Sequence, residues 1–311
     1  MAKRTRKGKE LLKSNLIDYI LFSLFFIFTF CSIILINKNI DYHKIYQKDN
    51  LSLKEEILLQ EENIKKLQEE ITSYQNIDDT ISNTKKNYYQ ELKRLEDSIL
   101  DGSSSKKIAY LTFDDGPYYS TYRVFDILDQ YGVKATFFTT NTNGEYCYDN
   151  KSENCQIRYQ EYLDRGHTIA NHTYTHAIFR GLYNSVDTFM DAVIKQEELV
   201  YSKTGYKTNI LRFPGGSATA RGLKDSIIEK LRERGYGWVD WNAMDGDGGA
   251  LDSSTQAWNI FVNSIDEKLE VILYHDYNDI TISLLPDMIE YLQNNGYVCL
   301  PLFYESSKIN K

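Results

Sequence analysis

Hydrophobic and polar positions along this chain change rhythm twice, and each of the three stretches predicts a different kind of structure. Residues 1–15 are basic and poor in apolar side chains, after which Leu16 to Ile36 read LIDYILFSLFFIFTFCSIILI, a predominantly apolar run with one acid near the start. At ~1.5 Å of rise per residue, a run of about 21 residues just crosses the hydrocarbon of a bilayer. The basic flank should stay in the cytoplasm, which places everything after residue 37 outside. The run is longer than the core of a cleaved signal peptide and no small-x-small site follows it, so the expectation is an uncleaved anchor.

The second rhythm is a heptad. Ile57, Ile64, Ile71, Leu92 and Ile99 fall at a positions, and Leu53, Leu67, Tyr74, Ile81, Tyr88 and Leu95 at d, with Gln60, Asp78 and Lys85 interrupting the seam. Apolar a and d positions sustained over more than three heptads, with Glu and Lys elsewhere, predict a helical coiled-coil stalk over 37–100 and with it a homo-oligomer. DGSSS at 101–105 reads as a flexible break, so the linker is assigned to 101–106.

From 107 to 304 the rhythm alternates between short apolar strands and amphipathic helices. Strands are predicted at Ile108 to Phe113, Ala135 to Thr139, Thr168 to Asn171, Ile210 to Phe213, Tyr236 to Trp241, Val271 to Tyr274 and Val298 to Leu302. The clearest helices are Val186 to Lys203, Leu223 to Arg234 and Leu284 to Asn294, stopped near Gly205, Gly235 and Gly296. Repeated β-α units over about 200 residues predict an α/β fold with a parallel sheet, open or closed into a barrel.

Charge and cysteines refine the picture only a little. The net charge is −8, from 44 acids against 36 bases, and beyond the first ten residues the bases are scattered among acids, so no nucleic-acid surface is expected. An external compartment permits a disulfide between Cys147 and Cys155, within a polar insertion at 141–156.

Chemistry-bearing residues gather just after the predicted strands: Asp114 and Asp115 after the first, His172 and His176 (NHTYTH) after the third, Arg212 (RFPGG) at the fourth. Asp240 and Trp241 close the fifth, and His275 follows the sixth. In a (β/α) barrel these ends converge on one face, where active sites lie. Two histidines spaced i, i+4 lie on one side of a helical turn, and with a carboxylate they make a site for a divalent cation with positions left open. Such a cation acidifies its water and polarises a carbonyl. One of the paired acids then serves as ligand and the other as general base. His275 is the candidate acid, with Asp240 to raise its pKa. Arg212 would keep Asp114 ionised, and Gly215 and Gly216 would leave backbone N–H groups open to an oxyanion. Asp245 and Asp247, in MDGDGG, read as a glycine-rich turn.

With these residues assembled, the chain resembles the NodB-homology polysaccharide deacetylases, carbohydrate esterase family 4, over about residues 107–304. TFDDGP at 112–117 and HTYTH at 172–176 are the specific motifs; RFPGG at 212–216, VDW at 239–241 and LYH at 273–275 resemble the others. The resemblance implies a distorted (β/α) barrel and metal-dependent removal of acetyl groups from a polysaccharide. It makes Asp114 the base and Asp115, His172 and His176 the metal ligands, zinc being expected and cobalt or manganese the alternatives. Arg212 orients the base, His275 is the acid and Asp240 tunes it. Trp241 and Leu273 line the acetyl pocket, and Gly215 contributes to the oxyanion site where the commoner family form has tyrosine. With the anchor and stalk, the expected substrate is N-acetylglucosamine of cell-wall peptidoglycan, with other acetylated polysaccharides as alternatives and an inactive carbohydrate-binding scaffold as the rival of another class. The expected location is the cell membrane, with the bilayer held through Leu16 to Ile36 and the catalytic domain facing the wall.

Overall fold

The first strand shows how the sheet is built. KIAYLTFD spans Lys107–Asp114 (β1) and is buried along its length from Ile108 onward, so both faces are covered, and successive residues divide between two cores. Ala109, Leu111 and Phe113 pack outward against helices, while Ile108 and Tyr110 pack inward with Phe138, Ala170, Ile210, Val239 and Val271 from other strands. Alternation along a pleated strand imposes this division. By the same parity Thr112 and Asp114 face inward at the strand's far end.

The computed structural model describes residues 60, 62, 63, 65, 66, 90–141 and 159–311. The chain divides into two units, 1–90 and 91–311. In the first, the described residues are helical and exposed, with Lys66 and Glu62 paired one turn apart at 3.0 Å. The predicted membrane span, most of the heptad stretch, and Cys147 and Cys155 lie outside the described residues. No helix among the described residues is long and apolar enough to cross a membrane.

In the second unit, helix α1 (91–100) leads through a turn to β1. There follow α2 (Thr121–Tyr131), β2 (Thr136–Thr139), α3 (Tyr159–Asp164), β3 (Thr168–Asn171), α4 (Val186–Thr204), β4 (Ile210–Leu211), α5 (Lys224–Glu233) and β5 (Gly237–Trp238). The order closes with β6 (Ala243–Met244), α6 (Ser254–Ser264), β7 (Leu269–His275), α7 (Asp279–Asn294) and β8 (Tyr297–Leu300). Every ladder between these strands is parallel, in the order β5-β4-β3-β2-β1-β7-β6, with β8 beside the first half of β1. No ladder among the described residues joins β5 to β6. The architecture is a parallel α/β half-barrel, in agreement with the distorted barrel expected from the motifs.

Several boundaries differ from the sequence reading for physical reasons. β1 runs one residue further, through Asp114, because that residue still pairs in register with Phe138 and His275. α7 starts at Asp279 instead of Leu284: Asn278 caps it by accepting from the N–H groups of Ile280 and Thr281, and the helix tolerates Pro286 inside. β6 is two residues long, too short for a period-2 pattern to reveal.

The folded unit also begins earlier than the predicted boundary at 107. Leu92 and Ile99, which fit the heptad seam, are buried in the same inward core as Ile108, Tyr110 and Leu300. Glu96 accepts hydrogen bonds from Tyr110 Oη at 2.7 Å and from Ser307 N at 2.7 Å. DGSSS is a pinned turn rather than a free break, since Ser104 N donates to Ser98 O at 2.8 Å and Ser103 N to Asp101 Oδ1 at 2.8 Å. Truncating the 1% exposed Ile99 to Ala should therefore cost about 2–4 kcal/mol in urea unfolding. Its 50% exposed neighbour Leu100, changed likewise, should cost no more than about 0.5 kcal/mol.

Candidate active site

Strand parity delivers the site. Asp114 on β1, Arg212 just beyond β4 and His275 on β7 share the inward parity of Tyr110, Ile210 and Val271, and His172 follows β3 in step with Ala170. Asp114 and His275 are direct register partners. Asp115 escapes alternation because its φ is 72°, a left-handed conformation that turns its carboxylate back over the same strand ends.

His172 and His176 come together on a loop instead of the helical turn expected from their spacing. Thr173 and His176 both have positive φ, at 64° and 44°, and Asn171 Oδ1 accepts from Thr173 N at 2.9 Å to hold the bend. Asp115 Oδ1 lies 3.5 Å from His172 Nε2 and 3.3 Å from His176 Nε2, and the three ligand atoms all fall within 4.8 Å of one another. Two ligands bound tetrahedrally at ~2.1 Å to one cation stand about 3.4 Å apart, so the donor set fits a divalent cation. His172 Nδ1 lies 2.9 Å from Arg212 O, which accepts its proton and leaves Nε2 as the lone-pair donor. Burial lowers the His172 pKa to about 3, keeping the ring neutral as a ligand must be.

Arg212 is fully buried, with Nη1 donating to Asp114 Oδ1 at 2.9 Å and to Thr112 Oγ1 at 2.7 Å. Phe138 lies under its guanidinium, 4.2 Å from centroid to Cζ. Burial raises the Asp114 pKa in spite of the opposing Arg212 charge, so the expected ionising effect of Arg212 is present but does not prevail. The result is a carboxylate with one oxygen fixed and the other, Oδ2, 3.5 Å from His172 Nε2, with more proton affinity than an exposed aspartate.

The expected partner of His275 is replaced. Asp240 has the parity opposite to Val239 and Trp241, and its carboxylate accepts from Ser217 N at 2.9 Å and Ser217 Oγ at 2.6 Å. His275 Nδ1 instead meets Asp247 Oδ1 at 2.8 Å, and the backbone N of His275 donates to Asp247 Oδ2 at 2.6 Å. Burial pulls the His275 pKa down, but the Asp247 hydrogen bond and charge, with Asp114 and Asp115 beyond, lift it to about 9. Asp245 stands beside Asp247, accepting from Asp247 N at 3.1 Å and from Thr281 Oγ1 at 2.6 Å; burial and the Asp247 charge raise its pKa to about 7. The glycine-rich look of MDGDGG concealed both acids. The usable signal was their position directly after a short strand, at the end where the other groups converge.

Trp241 and Leu273 both take the inward parity. Trp241 lies over the Arg212 guanidinium at 5.6 Å and against Gly216, where a Cβ would come 3.3 Å from its Cη2. Leu273 pairs in register with Thr112 and Met244. Gly215 has φ 73°, and a Cβ there would meet Ile178 Cδ1 and Thr219 Oγ1 at 3.1 Å, so both space and conformation favour glycine over the bulkier residue of the commoner family form.

Comparison with known proteins agrees with this geometry. A family model described as polysaccharide deacetylase matches residues 101–236. A peptidoglycan-N-acetylglucosamine deacetylase of Bacillus cereus is 30% identical over 217 residues, covering 67% of this chain and 73% of that protein. The solved catalytic domain of a peptidoglycan N-acetylglucosamine deacetylase from Eubacterium rectale aligns with a TM-score of 0.59 at 33% identity, over 66% of this chain and 92% of that one. A polysaccharide deacetylase from Bacillus cereus aligns at 0.55 and 26%, over 65% and 94%. The chain belongs to the NodB-homology polysaccharide deacetylases, carbohydrate esterase family 4, and is a deacetylase.

Because the folded pKa of His275 lies above the ordinary value near 6.5, its pairing with Asp247 stabilises the fold fully below pH ~6.5 and is lost as pH rises through about 9. In metal-free protein, Asp247→Asn should lower the NMR titration midpoint of His275 by at least about one unit, whereas Asp240→Asn should leave it in place.

Proposed function

We propose that this protein removes N-acetyl groups from the amino sugars of cell-wall peptidoglycan, N-acetylglucosamine first, using a divalent cation held by Asp115, His172 and His176. The observation that carries the reading is the placement of two proton-handling groups beside that donor set: Asp114, paired with Arg212, has Oδ2 3.5 Å from His172 Nε2, and His275, paired with Asp247, has Nε2 3.8 Å from Asp115 Oδ2. The cation, with zinc as the expected metal and cobalt or manganese as alternatives, would acidify water and polarise the acetyl carbonyl. Asp114 takes the proton from the attacking water, and the oxygen bonds to the acetyl carbon. The Gly215 N–H would receive the developing oxyanion, since Gly216 N, also expected to be open, donates to Phe213 O at 2.8 Å. His275 delivers its proton to the sugar nitrogen as the C–N bond breaks, releasing acetate and a free amine.

The Asp247–His275 pair favours an amide over an ester. An amine is too poor a leaving group to depart unprotonated, and a histidine with pKa raised to about 9 is charged at neutral pH and ready to donate. The predicted anchor at Leu16 to Ile36 and the heptad stalk support the wall as substrate, because a tethered domain reaches the surface polymer; the stalk would also pair copies of the chain.

Incubating the full chain with N-acetylated peptidoglycan should release acetate, and O-acetylated xylan should be a poorer substrate. Asp114→Asn should reduce kcat by about 10²–10⁴-fold with bound metal unchanged, whereas Asp115→Asn should lose metal as well. Chelation should abolish acetate release and added zinc restore it. Equal turnover by Asp114→Asn and the parent chain would overturn the mechanism.

A further inference from the structure

We propose that Asp276 is a positioning residue for Asp115, bracing from beneath the turn that presents this carboxylate to the cation. The inference rests on the reading of Asp115 as a metal ligand and on nothing about the substrate. Asp276 follows His275 and is fully buried. One of its oxygens, Oδ1, accepts no hydrogen bond, an arrangement that costs stability unless the carboxylate serves another purpose.

Its other oxygen shows that purpose. Thr121 Oγ1 donates to Asp276 Oδ2, and Tyr118 N donates to Thr121 Oγ1 at 2.9 Å. A hydroxyl has a single proton, so giving it to Asp276 leaves the oxygen free to accept from Tyr118 and fixes the direction of the whole relay. Between these bonds sits Gly116, where a Cβ would come 2.6 Å from Asp276 Oδ2. The carboxylate therefore fills the space under the turn, and only glycine allows the backbone to lie on it. The opposite side of the turn is tied to β2 and its exit, with Asp115 N donating to Phe138 O at 3.1 Å and Thr140 N donating to Gly116 O at 2.9 Å. Held from both sides, Asp115 keeps the left-handed φ of 72° that aims it at the two histidines. Asp276 also ties the strand that carries the candidate acid to the turn that carries the ligand.

The test is cobalt(II) titration of the metal-free full chain, followed by visible absorption, with thermal melts as a check on folding. Thr121→Val removes the relay hydroxyl at nearly constant shape and should weaken cobalt affinity about ten-fold, as should Asp276→Ala. The double variant should be no worse than the single ones, since both break one relay. Asp276→Asn keeps an acceptor for Thr121 and should stay within about three-fold of the parent chain. Folded Thr121→Val protein with unchanged cobalt affinity would overturn the bracing, as would Asp276→Asn behaving like a ten-fold loss. If Asp276→Ala does not fold, Thr121→Val decides alone. A parent chain that binds no cobalt would overturn the ligand reading together with this one, whereas a parent that binds cobalt while releasing no acetate would overturn only the proposed reaction.

Discussion

One buried guanidinium ties together strand ends that share no ladder. Arg212 is fully buried, and its donors reach four groups on β1 and just beyond β5, two strands that do not pair among the described residues: Thr112 Oγ1, Asp114 Oδ1, Val239 O and Asp240 O. Those contacts tie β1 to β4 and to the segment leaving β5, with Phe138 and Trp241 rings against the charge. Burying this ion pair is costly, and removing one partner alone would leave an uncompensated charge. The constraint therefore acts in both directions: Asp114 is held at one oxygen because the barrel needs Arg212, and Arg212 is tolerated in the interior because Asp114 is there.

From that pair the rest of the site follows by strand geometry. Register places His275 opposite Asp114, parity brings His172 to the same face, and a single left-handed residue adds Asp115. Asp114 and His275 thus owe their separation to ladder hydrogen bonds at the interior of the sheet, and Asp115, His172 and His176 owe theirs to two loops with positive φ. Strand-borne groups are rigid and loop-borne groups need bracing, which is why the buried polar relays gather under the loops: Thr121 with Asp276 below Asp115, and Asn171 below Thr173.

Much of this was legible in the sequence. Strong apolar alternation and the convergence of polar residues at strand ends pointed to the parallel α/β architecture and to Asp114, Asp115, His172, His176, Arg212 and His275 as a group. What could not be read was direction. Asp240 is adjacent to the inward-facing Trp241, and only the local parity of a two-residue strand decides that Asp240 turns towards Ser217 and leaves Asp247 to meet His275. The heptad pattern likewise ran past a boundary it could not show, because a leucine or isoleucine suits a helix partner and a barrel interior equally well. Leu92 and Ile99 satisfy both patterns, and the structure uses them for the second.

Leu92 and Ile99 make helix α1 part of the folded catalytic unit. Helix α1 packs with Ile108 and Tyr110, at the start of β1, whereas Asp114 ends the same strand, about four residues and ~13 Å further along. Helix α1 therefore closes the inward core beside the first residues of β1, at the opposite end of that strand from Asp114, so its leucine and isoleucine shield the barrel interior without entering the site.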